Sequence, residues 1–225
     1  MPVGAVFGGW RGGLAAWSVF AAATLAIWLP QTRRAAVPAE PGARTAGLTR
    51  SPVAWAVTPL FATQSVLAFV VMAWLPTVYL DAGFAPDEAG ALLAAALLVG
   101  VPVYFAVPVL GALGAGTTVA EIAGLTGLLL RPETTPWLWA VLIGIGGGAF
   151  PLTLALFSMR TRTAADTAAL SAMVQTAGYL LVASGPFAVG VLRDVTGSWT
   201  MPISLLLAIC AAQTARFFSA GNHAS

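Results

Sequence analysis

An all-α membrane protein with seven transmembrane helices is the fold class this sequence predicts. Three observations lead there. Mean hydropathy is +0.88, and 59% of the 225 residues are hydrophobic. Only 8% are charged, where a soluble globular chain carries about 25%. Several apolar stretches also reach the roughly 18 residues that read as a membrane-spanning helix.

Taken in chain order, the spans fall at residues 13–30, 53–80, 88–110, 118–130, 137–159, 167–192 and 201–218. The second carries Pro59 and Pro76, which kink a membrane helix and free backbone carbonyls. The fourth falls short of the roughly 20 residues a crossing needs. The glycines and threonines of residues 111–118 place the turn before it. The fifth holds Gly144, Gly146, Gly147 and Gly148. No Lys-Ser or Lys-Thr follows them, so they read as points of close helix approach rather than a phosphate loop.

Residues 31–52 form the one linker. Pro38, Pro41, Gly42, Gly47 and Pro52 break it up, and it lacks apolar periodicity. The expected domains are a lone transmembrane helix over 1–30, a flexible cytoplasmic linker over 31–52, a six-helix transmembrane bundle over 53–220 and a tail over 221–225.

All ten basic residues are arginines. Arg33, Arg34, Arg44, Arg50, Arg160, Arg162 and Arg216 fall on one side of the predicted spans, and Arg11, Arg131 and Arg193 on the other. By the positive-inside rule this places the N-terminus outside and the linker and C-terminus in the cytoplasm. The expected location is a bacterial inner membrane, with the lipid bilayer as the first partner. No secretory signal stands out, since no basic region precedes the first apolar run.

Composition also narrows the function classes. The arginines are scattered, without the basic-aromatic interleaving that tracks a nucleic acid. One cysteine, Cys210, excludes an internal disulfide and a multi-cysteine metal site. The single histidine, His223, lies in the tail. No nucleophile–base constellation falls within the spans, so the sequence points away from an enzyme and calls for no cofactor or metal.

The polar groups inside the spans are few. Ser171, Gln175 and Tyr179 recur every fourth residue and share one face of the sixth span. With Gln64 and Ser65 of the second they read either as the lining of a substrate path or as inter-helix hydrogen bonding. The expectation is that Gln64 joins the sixth-span residues on one water-accessible surface. Trp74, Tyr79 and Tyr104 read as aromatic belt anchors. Glu121 is the one acid inside a span and a proton-coupling candidate; the poorly defined fourth span favours an interfacial or loosely packed carboxylate instead.

Several blocks together resemble the C-terminal half of a major facilitator superfamily transporter, of the cyanate permease and 2-nitroimidazole transporter group. They are Gln64-Ser65, Ala73-Trp74-Leu75-Pro76-Thr77, Asp81-Ala82-Gly83, Glu88-Ala89-Gly90 and Val99-Gly100-Val101-Pro102. Further along come GIGGGAFP over 144–151, then Leu152 to Leu156, Ala169 to Met173, Gln175 to Leu180, Gly185-Pro186 and Asp194 to Trp199. The resemblance implies that the first span is the family's helix six and that the last six form its C-terminal bundle. It implies secondary active transport of a small anion or small polar organic solute by alternating access. It also implies that the chain is incomplete alone, needing a missing N-terminal half or a second copy. The fourth span resembles a peripheral helix, and the short 111–118 connection lacks the family's basic gating motif. The alternative is a membrane fragment that does not transport, or an assembly partner.

Overall fold

The computed structural model describes residues 10–34, 52–110, 114–150 and 163–221. The linker arginines Arg44 and Arg50, the second half of the fifth span, Arg160, Arg162 and His223 lie outside them. The described residues form seven helices and no strand: α1 (Trp10–Arg34), α2 (Pro52–Asp81), α3 (Pro86–Leu110), α4 (Gly114–Leu130), α5 (Pro136–Gly146), α6 (Ala164–Thr196) and α7 (Thr200–Gly221). Each predicted span contains one of them. Stretches of α2, α3 and α6 are long and apolar enough to cross a membrane, and shorter apolar stretches mark the other four.

The chain divides into two units, residues 1–43 and 44–225. In the first, α1 satisfies its own polar side chains. Ser18 donates to the Ala15 carbonyl and Thr24 to that of Phe20. This is the economical arrangement where no water is at hand. Trp17, Phe20 and Ile27 are exposed, as lipid-facing side chains would be.

In the second unit, local chemistry sets the helix ends. Pro86 opens α3, with Asp87 and Glu88 in its first turn against the positive helix end. Pro136 opens α5. Thr163 caps α6, accepting from the Asp166 amide at 3.1 Å and donating to its carboxylate at 2.8 Å. Gly83 (φ +92°) and Gly197 (φ +66°) take the left-handed turns after α2 and α6, where a side chain would be strained. These two glycines sit in the Asp81-Ala82-Gly83 and Asp194–Trp199 blocks.

Small residues carry the helix packing, as expected where apolar burial gives no advantage over lipid. A Cβ at Gly178, Gly185 or Gly190 of α6 would meet Phe61, Val66 or Trp74 of α2 at 2.6 to 2.9 Å. Gly144 of α5 lies flush against the Ala96 carbonyl of α3, and Gly148, in the turn just past α5, against Val103. Gly124 and Gly127 of α4 receive Ile143 and Trp139 of α5 in return. The glycine run does allow close approach.

Two boundaries differ from expectation. Within the turn predicted over 111–118, α4 is already helical from Gly114. The fifth span is not one continuous helix. It stops at Gly146 and turns at 147–148 before helix resumes at Ala149. Consecutive glycines remove the side chains that would favour continuing the same helix.

Candidate functional site

The break in α5 frees a backbone acceptor. Phe150 N–H bonds to the Gly147 carbonyl at 3.1 Å, three residues back, so the Gly146 carbonyl is left to accept elsewhere. It accepts from the Gln64 side-chain amide at 3.3 Å. The Gln64 side-chain oxygen in turn accepts from the Gln213 amide of α7 at 2.6 Å. The Glu121 side chain of α4 lies beside Gln64. The Cβ and Cγ of Glu121 occupy the space that Gly146 leaves by having no side chain.

Four helices thus bring Gln64, Glu121, Gln213 and the Gly146 carbonyl together inside the unit. Gln64 is 1% exposed, and Glu121 and Gln213 are each 2% exposed. Ser65 is fully buried beside Gln64 in sequence, and its hydroxyl has no partner among the described residues. Tyr104 of α3 flanks the break, its hydroxyl 2.9 Å from where a Cβ on Gly147 would lie.

The sixth-span residues lie elsewhere. Gln175 donates to the Ser171 hydroxyl at 2.5 Å, one turn back, and both are half-buried. Tyr179 is exposed and stands edge-on to Phe61 and Phe69 of α2, with ring centroids 5.5 and 6.4 Å away. The expected single surface therefore divides in two. Gln64 turns inward toward α4, α5 and α7, whereas Ser171, Gln175 and Tyr179 form a partly exposed polar face on α6.

Other expectations are corrected too. Glu121 is neither interfacial nor loosely packed, because the glycine at 146 lets α4 and α5 close over it. Tyr79 is fully buried and donates to the Pro136 carbonyl at 3.0 Å. Trp74 donates to the Pro186 carbonyl at 2.9 Å, and Tyr104 packs against Gly100 and Gly147. Each of the three finds a partner on the backbone or on a neighbouring helix. Gln213 was not singled out from sequence. Its one signal is an amide in an apolar run three residues before Arg216, and spacing alone gives that no partner.

At one end of the unit, Asp81 closes α2 by accepting from Arg193 of α6 at 2.8 Å and from the Trp199 indole at 2.9 Å. The Arg193 guanidinium also lies 5.4 Å over the Trp199 ring. This clamp joins the ends of α2 and α6 to the start of α7.

No family model matches the chain. Individual proteins do. It is 36% identical over 211 residues to the uncharacterized transporter YycB of Bacillus subtilis, covering 89% of this chain and 52% of that one. It is 33% identical over 219 residues to the 2-nitroimidazole transporter of Escherichia coli, covering 89% of this chain and 55% of that one. These relatives match the cyanate permease and nitroimidazole transporter group of the major facilitator superfamily. The cyanate transport protein CynX of Escherichia coli is 28% identical over 200 residues, covering 85% of this chain and 52% of its own length. The chain spans about half the length of the curated relatives it matches. These relatives are transporters rather than enzymes, and with the apolar helices they make this a multi-pass membrane protein.

Proposed function

We propose that this chain is the C-terminal half of a secondary active transporter and moves a small anion or small polar organic solute once a complementary half completes the path. The observation that carries the reading is a match along 89% of the chain to about half of two transporters. The relatives named for a nitroimidazole and for cyanate take small polar solutes, a heteroaromatic and an anion. In this class of fold, substrate sits near the bilayer midplane between two pseudo-symmetric halves. The chain alone would present one wall of that site, and a second copy is the other way to supply the missing wall.

Ser171, Gln175 and Tyr179 are the residues proposed to face the solute. They offer hydroxyl and amide groups on a partly exposed face of α6, beside α2. Gln64 and Ser65 support that wall from behind. The arginine distribution supports an orientation with the N-terminus outside and the C-terminus in the cytoplasm of a bacterial inner membrane. Nothing in the reading calls for catalysis.

The test of the proposed wall is Gln175→Leu in the chain paired with a complementary half. Leucine keeps similar bulk and removes the hydrogen bonds. A binding titration with labelled solute should show at least tenfold weaker affinity, beside a melting curve that barely moves. Intact affinity with a clear fall in melting temperature would make Gln175 a packing residue and remove it from the path.

A further inference from the structure

We propose that Glu121 is a proton-binding centre, neutral in the conformation described here, and that its ionisation is linked to the break in α5 through Gln64. Three observations carry this.

The first is the company the carboxyl keeps. It is 2% exposed and enclosed by α2, α4, α5 and α7, with Tyr104 of α3 nearby. Those elements bring it Gln64, Gly146, Tyr104, Cys210 and Gln213. Tyr104 and Cys210 are the titratable groups that lie near it among the described residues. Both are acids, so neither offers a positive charge. A buried carboxylate without a cation is strongly disfavoured, and neutralisation is the usual escape.

The second is the balance of donors and acceptors. Gln213 donates to Gln64, and Gln64 donates to the Gly146 carbonyl while lying beside Glu121. Glu121 Oε2 and Gln213 Oε1 are left without a donor among the described residues. A carboxylate ion is an acceptor only, which deepens that deficit. A carboxylic acid carries an O–H donor, so a proton on Oε2 converts one orphaned acceptor into a donor.

The third is the link to the backbone. The Gln64 amide has two N–H groups, and one of them holds the Gly146 carbonyl where α5 stops. When Glu121 releases its proton to solvent, the carboxylate competes for that N–H with a charge-assisted bond, roughly twice as strong as a neutral one. The Gly146 carbonyl then loses its partner and the turn at 147–148 loses its support. Loss of one proton and rearrangement of α5 are thereby the same event. Use of that proton as the coupling ion rests on the transporter reading, whereas the proton site itself does not.

The test is infrared spectroscopy of the full chain in nanodiscs, with hydrogen exchange at residues 147–150. In the wild type, a carbonyl band from a buried protonated carboxylic acid is expected at neutral pH. It should vanish in Glu121→Gln and shift, without vanishing, in Glu121→Asp. Exchange at 147–150 should accelerate as pH rises through the loss of that band, and should be insensitive to pH beyond the intrinsic base catalysis of exchange in Glu121→Gln. A carboxyl band unchanged in both variants would overturn the proposal. So would a band abolished by replacing choline chloride with sodium chloride at constant pH, which would make the centre a sodium site. Both readouts are independent of uptake, so a chain that fails to transport leaves them interpretable.

Discussion

The Gln213 side-chain amide donates a 2.6 Å hydrogen bond to the Gln64 side-chain oxygen, joining residues 149 positions apart. Both amides are buried, and through Gln64 the pair reaches the Gly146 carbonyl and Glu121. Polar groups at this depth constrain which helices meet and in which register, because an unmatched partner has no water to turn to.

Gln213→Leu should therefore destabilise the protein by about 1–3 kcal/mol, since it leaves the Gln64 oxygen buried and unpaired. Gln64→Leu should do the same by orphaning the Gly146 carbonyl. The double variant should cost less than the two single costs combined, because the first substitution has already broken the shared bond. Denaturation in mild detergent reads all three, and strict additivity would show that the amides do not interact.

Gly146→Ala should be among the most damaging single-methyl changes. Its Cβ would run into the Glu121 side chain, and overpacking of this kind costs about 1–3 kcal/mol. Gly90→Ala in α3 is the control. A Cβ there meets nothing within 4 Å, and exposed helical alanine is favoured over glycine by up to about 1 kcal/mol. Melting temperatures should fall for the first and hold or rise for the second.

The Asp81–Arg193–Trp199 clamp should contribute little alone. The Asp81 and Arg193 side chains are 38% and 28% exposed, and partly exposed ion pairs contribute at most about 1 kcal/mol. Asp81→Asn should lower the melting temperature slightly at low salt and less at high salt. Trp199→Phe keeps an aromatic ring but loses the indole donor to Asp81, so its cost should not simply add to that of Asp81→Asn. A large, salt-independent loss from Asp81→Asn would mean that the clamp is shielded from solvent.

Much of this fold was legible in the sequence because length and hydropathy alone identify membrane helices. The glycine run at 144–148 was legible as close packing, since no phosphate-binding context accompanied it. What the sequence withheld was direction. Helix α2 is apolar on every side, so its pattern does not reveal which face meets a neighbour. Gln64 was accordingly grouped with Ser171, Gln175 and Tyr179, although it faces away from them toward Gln213. The same ambiguity hides which neighbouring helices the hydroxyl and indole groups of Tyr79, Trp74 and Tyr104 reach. Glu121 was misjudged because α4 looked short and isolated, while its burial depends on a missing side chain on another helix, at Gly146.

The proposed orientation rests on the arginines and is open to direct labelling. Single cysteines at Thr45 and Ala85, in a Cys210→Ala background, should react with an impermeant maleimide from opposite sides of intact cells. Ala85 should label from outside and Thr45 only after permeabilisation. Labelling of both from outside would reverse the assignment of the linker.

The central claim, that this chain forms one wall of a two-walled transporter, is tested most directly by uptake of labelled 2-nitroimidazole or cyanate into liposomes. The purified chain as a monomer should give no saturable uptake. The same chain co-reconstituted with the complementary half of the Escherichia coli 2-nitroimidazole transporter should give saturable uptake that Gln175→Leu weakens. Saturable uptake by the monomeric chain alone would contradict the account.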